Sequence, residues 1–270
     1  MQKTKVVHLT IVHKRYDSRI FCKECISLSE AGYDVSLIVA DGLGNETKQG
    51  VKIIDVGRAE ASRIKRMIRT SRKAVDLALG MNADIYHFHD PDLLIEALRL
   101  RKKACVIFDS HEDFPALMKQ RDYIPDFARK VLFRLCTLIE KYSAKRLSAV
   151  VCATETIQDK FARYGNIRAV VVKNYPVFSS CESETTNSYD TMKPVCYVGG
   201  LTALRGVKEM VEACNKAGVK LLLAGEFDNQ AYFEQIKAMP EWRNVEFLGY
   251  VPTSQVREKV YNRSSVGLVL

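Results

Sequence analysis

The stretch "KVVHLTIVHKRYDSRIFCKECISLSEAGYDVSLIVADG", Lys5 to Gly42, decides the fold. The apolar run from Val6 to Val12 reads as a buried strand, "LSEAG" as the end of a helix capped at Gly32, and Val35 to Ala40 as a second strand buried on both faces. A strand, a helix and a strand in that order form a parallel crossover unit. Between them, "HKRYDSRIFCKE" places His13, Lys14, Arg15, Asp17, Arg19, Lys23 and Glu24 where the helix should start. A plain turn needs none of these charges, and the carboxyl end of a parallel strand is where ligands bind in such sheets.

The same alternation continues outward. Val51 to Val56, Ile85 to His89, Cys105 to Ser110, Ala149 to Ala153 and Ala169 to Lys173 are further apolar runs with helical patterns between them. Residues 1–177 therefore read as a doubly wound α/β domain. Residues 178–193 are polar and free of hydrophobic period, which reads as a linker, and 194–270 restart the strand–helix alternation as a second domain.

Composition narrows the class. With 47% hydrophobic and 27% charged residues the chain is of ordinary globular type, and no apolar run reaches the roughly 18 residues of a membrane span. The polar start, Met1 to Lys5, reads as no secretory signal, so a cytoplasmic location is expected. Most of the 8 cysteines lie inside apolar runs as free thiols do, and the lone pair Cys22 and Cys25 has no partner pair at metal spacing. The net charge of +9 favours anionic partners. Part of it lies on Arg58 to Gly80, where Ile64, Met67, Ile68, Ser71, Val75 and Leu79 form one helical stripe ringed by arginines. That pattern fits a helix packed on the sheet with a basic back, or one lying on an anionic membrane surface. No nucleic-acid partner is expected, because no recognition motif accompanies the charge.

Three more strand ends carry chemistry. In "YHFHDPD", His87 and His89 share one strand face, which gives at most two metal ligands, so the expectation is no metal, with His87 packed and His89 and Asp90 lining a cleft. In "FDSHEDFP", His111 stands among Asp109, Glu112 and Asp113 and can act on a substrate oxygen, while Asp109 or Ser110 caps the helix that follows. In "YVGGLTALRGVKE", Gly199 and Gly200 let a diphosphate approach the backbone, and Arg205 and Lys208 can reach its oxygens. The spacing matches neither the nucleotide-hydrolysing P-loop nor the nicotinamide fingerprint.

These motifs, in order with "GYDVSLIVADG", "KNYP", "LLLAGE" and "VEFLGYV", resemble the glycosyltransferase family 4 enzymes of the GT-B fold, especially bacterial polysaccharide and O-antigen transferases. The resemblance implies two facing Rossmann-like domains, acceptor on the first and nucleotide sugar on the second. It also implies retention at the anomeric carbon, a UDP- or GDP-linked donor, a glycan or lipid-linked acceptor, and no cofactor or metal. It assigns His111 and Glu112 to catalysis. Gly199, Gly200, Arg205, Lys208 and Glu226 are expected on the donor, and His13, Asp17, Arg19, His89, Asp90, Asp113 and Asn174 on the acceptor side of the cleft, with His13, Asp17 and Arg19 facing the acceptor or the donor phosphate. Gly200 stands where many relatives have arginine. The family's E-x7-E carboxylates follow a strand matching "VGLVL", where this chain ends, so the second domain is expected to be incomplete. A sugar-nucleotide epimerase and a non-catalytic nucleotide- or glycan-binding remnant are the competing readings.

Overall fold

A computed structural model describes residues 3–120, 125–175 and 193–269. The chain divides into two compact units, Met1–Ser180 and Cys181–Leu270. The expected linker, 178–193, lies outside the described residues except for Lys193.

The first unit is built on an eight-stranded sheet. Its strands are β1 (Lys5–Leu9), β2 (Asp34–Val39), β3 (Glu46–Lys48), β4 (Val51–Asp55), β5 (Ile85–Phe88), β6 (Cys105–Ser110), β7 (Ala149–Cys152) and β8 (Ala169–Val171), in the order β3-β4-β2-β1-β5-β6-β7-β8. Every pairing is parallel except the β3–β4 hairpin, a short polar edge that the apolar pattern did not mark. The first strand stops at Leu9 rather than Val12, because Thr10, Ile11 and Val12 turn around the carboxylate of Asp90. Gly32 sits just past the helix Ile26–Glu30 at φ 93°, a left-handed position that favours glycine.

Because side chains alternate across each strand, the sheet has two unlike faces. On one, Val7, Leu9, Tyr86, Phe88, Val106, Phe108 and Val150 pack under Ala74, Val75 and Ala78 of the helix Ser71–Met81. The other face is apolar under β2 and β4, where Val35, Leu37, Val39, Val51 and Ile53 meet Ile20, Phe21 and Cys25. Toward the middle of the sheet this second face carries buried His8, His89 and Asp109 instead of aliphatic side chains. The helix Ile20–Cys25 covers them, and its amide bonds run five residues back, Cys22 to Asp17 and Glu24 to Arg19. Such wide turns turn up frequently at functional sites.

The basic helical stretch differs from its sequence reading. Thr70, Ser71, Ala74, Val75 and Ala78 face the core, whereas Ile64 and Ile68 are exposed. Arg63 and Arg66 are held by Asp92, at 3.1 and 2.8 Å.

The second unit has a four-stranded parallel sheet, β9 (Val195–Val198), β10 (Leu221–Ala224), β11 (Val245–Gly249) and β12 (Val266–Gly267), ordered β11-β10-β9-β12. Both faces are covered. Tyr197, Leu221 and Leu223 pack against Val207, Met210 and Val211 on one side, and Cys196, Leu222 and Ala224 against Val256 and Val260 on the other.

Candidate active site

Asp109, at the end of β6, is the hub of the first unit's site. It is fully buried and takes two hydrogen bonds from the Arg19 guanidinium, Nε to Oδ2 at 2.8 Å and Nη2 to Oδ1 at 2.9 Å. His111 Nε2 approaches the same Oδ2 at 2.8 Å and His89 Nδ1 at 3.2 Å. Burial alone would raise the Asp109 carboxyl, but the hydrogen bonds from His111, His89 and Arg19 outweigh it and hold the group well below the usual carboxylate range. An ionised carboxylate only accepts, so both histidines present N–H to it. In the neutral imidazole tautomer this fixes, His111 has Nδ1 as its acceptor.

His111 lines a cavity of about 560 Å³ together with Asp17, Arg19, Glu112, Thr154, Glu155, Lys173, Asn174 and Tyr175. The cavity opens beyond the carboxyl ends of β6, β7 and β8, where the parallel sheet places a ligand. Lys23 reaches Asn174 Oδ1 at 2.6 Å and the Tyr175 carbonyl at 2.7 Å, fixing one wall. His13, a third exposed, stands with its ring 5.2 Å from that of His111.

Several expected roles change. Arg19 is buried and its charge is committed to Asp109, with a further bond to the Val172 carbonyl, so it organises the site and does not reach for a phosphate. Asp17 accepts the amides of Arg19 and Ile20 at 2.8 and 2.9 Å, which starts the first helix. Asp90 is buried too. It accepts from Thr10 and from the amides of Ile11 and Val12, and therefore shapes the loop after β1 rather than facing a ligand. His89 lies fully under the helix and lines no cleft. Ser110 and Asp109 do not cap the helix Phe114–Leu117; Asp113 does, accepting from the Ala116 amide, and it also lies 3.3 Å from Lys160. The charged stretch that opened the sequence is thus mostly scaffold. Arg15, buried, clamps Asp41 through Nε at 2.7 Å and Nη2 at 2.6 Å and also holds Glu46.

Sequence reasoning passed over His8 and gave Glu24 no role. The parallel register sets His8 opposite His87, and both lie with His89 and Glu24 in one group, His8 and His89 buried and the other two largely so. Burial, the neighbouring imidazoles adding to it, lowers His8 well below its usual value and His87 to about 3. Burial, with Asp109 nearby, pushes Glu24 up to about 9. A histidine at an inward position of an otherwise apolar strand was the available signal.

In the second unit, Gly199, Gly200 and Arg205 border a cavity of about 420 Å³ with Tyr197, Tyr261 and Leu268. The Gly199 amide is bound to the Ala224 carbonyl at 3.0 Å, so it cannot serve a phosphate as the glycine pair suggested. A Cβ on Gly199 would meet the Tyr197 hydroxyl at 3.0 Å, whereas Gly200 has open space around it. Thr202 accepts the Arg205 amide, and Gly206, at φ 65°, turns the chain into the helix Val207–Lys216. Lys208 pairs along that helix with Glu212 at 3.6 Å, and neither it nor exposed Glu226 borders the cavity.

The sequence profile of Glycosyltransferase Family 4 matches residues 23–174, more than half of the chain, and the chain belongs to that family. No curated protein matches it. Among solved structures it is similar to sucrose-phosphate synthase from Thermosynechococcus elongatus, at 14% identity and a TM-score of 0.71, over 98% of this chain and 75% of that one. It is also similar to WaaG, a glycosyltransferase involved in lipopolysaccharide biosynthesis, at 11% and 0.68, over 92% of this chain and 71% of that one. HepE of Anabaena, solved with UDP and glucose, aligns at 13% and 0.62, over 92% of this chain and 70% of that one. The fold is GT-B.

Proposed function

We propose that the chain is a retaining glycosyltransferase that moves a sugar from a UDP- or GDP-linked donor to a glycan or lipid-linked acceptor in bacterial cell-surface polysaccharide synthesis. The observation that carries this reading is His111, fixed by Asp109 on the wall of a strand-end cavity lined by Glu112, Glu155 and Asn174. Such a polar wall suits sugar hydroxyls. On the second unit the Gly200 turn and Arg205 suit the diphosphate, and the UDP bound by HepE supports a uridine donor. As the nucleoside diphosphate leaves, negative charge grows on its oxygens, and the Arg205 guanidinium beside the Gly200 turn stabilises it without a metal at that point.

A lipid-linked acceptor would bring the protein to the inner face of the plasma membrane. No helix among the described residues is long and apolar enough to cross one. The helix Asp126–Ala144, however, exposes Phe127, Val131, Leu135, Leu138 and Tyr142, spaced three or four apart, with exposed Lys130, Arg134, Lys145 and Arg146 around them. That stripe suits an anionic bilayer better than the arginine helix, whose Arg63 and Arg66 are both drawn onto Asp92.

Isothermal titration of UDP and GDP into the chain tests the donor assignment. Binding of one of them, weakened at least tenfold in Arg205→Ala, is the expected result. Absence of binding by both, with the protein folded, refutes it.

A further inference from the structure

Under the first helix four ligating side chains converge with no role in the transfer chemistry above. His8 sits on β1 and His87 directly opposite on β5, while His89, two residues on, shares their face. Glu24 reaches down from the wide turn of the helix Ile20–Cys25. His8 Nδ1 is 2.9 Å from His89 Nε2, and Glu24 Oε2 lies 4.0 Å from His8 Nδ1, 3.8 Å from His87 Nδ1 and 3.9 Å from His89 Nε2. One atom from each of the four lies within 4.8 Å of all the others. A tetrahedral ion with bonds of about 2.0–2.1 Å sets its ligands roughly 3.3 Å apart, so sub-ångström shifts would close the shell.

Where the four converge, the Glu24 carboxyl is not satisfied by the protein, while His8 Nδ1 and His89 Nε2 share one hydrogen bond that an ion would replace. Both Glu24 carboxylate oxygens, His8 Nε2 and His87 Nε2 are buried without a hydrogen-bond partner. Arg19 Nε is 3.1 Å from Glu24 Oε1 but directs its hydrogen to Asp109. His8 is wholly buried, so water does not make up the deficit at its ring. For His89 the outer shell has the form that metal-binding histidines use: it donates Nδ1–H to the Asp109 carboxylate, which sets its tautomer and makes Nε2 the acceptor that now takes the His8 Nδ1–H.

We propose that His8, Glu24, His87 and His89 bind one divalent transition ion, zinc by preference, as a closed four-coordinate site. Three imidazoles with one carboxylate select zinc, cobalt or nickel over magnesium and calcium, which prefer all-oxygen shells. With four protein ligands and no open position the ion is structural. It ties the helix Ile20–Cys25 to β1 and β5, directly behind the Asp109 carboxylate that holds His111. The site lies in the first unit and does not depend on the identity of the sugar donor.

The test uses the whole chain, purified without a histidine tag, stripped with a chelator and titrated with Co²⁺ alone. About one equivalent should bind, with the intense visible absorption of a tetrahedral cobalt centre, bleached on adding Zn²⁺. Glu24→Gln and His87→Gln should each weaken binding at least tenfold, and Zn²⁺ should raise the melting temperature of the wild type but of neither variant. Folding of each protein is checked by circular dichroism, and the wild-type titration decides the matter if a variant fails to fold. A folded wild type that takes up no stoichiometric cobalt, or shows only a weak octahedral spectrum, overturns the proposal. So does binding that survives Glu24→Gln but is lost in His111→Gln, which would put the ion on His89, Asp109 and His111.

Discussion

Replacing Asp109 with Asn keeps the shape of the side chain and removes its charge. Arg19, 4% exposed, would then be a buried cation whose main partner is gone, while His89 and His111 lose their common acceptor. Breaking a buried ion pair from one side costs about 3–5 kcal/mol. Removing the Asp109 charge takes away one cause that keeps Glu24 protonated, so Glu24, 3.1 Å from Arg19, can ionise and replace part of the pairing, and the low end, about 3 kcal/mol, applies. For a unit of this size that corresponds to a fall in melting temperature of roughly 6–12 °C. Urea denaturation of Asp109→Asn, Arg19→Met and the double variant measures the coupling. The double variant should be less destabilised than the sum of the singles by at least about 1 kcal/mol, because it leaves no orphaned charge. Single losses under about 1 kcal/mol, or additivity within about 0.5 kcal/mol, would refute the account of Asp109 as a buried hub.

Three other outcomes follow from local geometry. Glu140 is buried against Lys160 and Tyr164, and its carboxyl is raised, by burial first, above the usual value. The folded chain then keeps a proton that the unfolded chain releases above about pH 4.3. Stability from this group falls as pH rises from the unfolded toward the folded value, so Glu140→Gln should gain on the wild type as pH rises above about 4.3, by at most about 1.4 kcal/mol per pH unit; parallel profiles would contradict it. Gly225, at φ 151°, has the Gly199 carbonyl oxygen 1.8 Å from where a Cβ would sit, so Gly225→Ala should destabilise the second unit by more than about 2 kcal/mol. Gly200→Ala, with open space, should stay within about 1 kcal/mol, and thermal melts of the two variants make the comparison. Finally, Leu138→Glu on the exposed stripe should reduce co-sedimentation with anionic vesicles severalfold without changing the melting temperature, and unchanged pelleting would remove the helix Asp126–Ala144 from the membrane reading.

The strand pattern was readable because burial on both faces leaves continuous apolar runs such as "VSLIVA" and "VIF", and these became β2 and β6. The β3 edge, three polar residues, carries no such mark. Within the site, His111 was legible as a polar residue directly after a strand, whereas Asn174 came only with the family resemblance; the structure brings both to one cavity wall. Arg19, Asp90 and Asp113 were equally polar and equally well placed along the chain, yet they proved to be internal partners of Asp109, the β1 loop and a helix start. Only tertiary pairing separates a charge that serves the scaffold from one that faces a ligand. The four-residue group of His8, Glu24, His87 and His89 was hidden for the same reason, since its members come together through the register of β1 on β5 and a helix laid across it. The apolar stripe of the arginine helix misled because Ile64 and Ile68 continue the helical period without the core beneath them.

The central claim is nucleotide-sugar-dependent transfer, and its most direct measurement is release of UDP or GDP from a panel of nucleotide sugars by the chain, with and without a bacterial glycolipid extract. The account predicts turnover of at least one donor, raised by the extract and reduced about 10²-fold or more in Arg205→Ala and in His111→Ala. No turnover of any donor by folded protein, or turnover untouched by both substitutions, would contradict it.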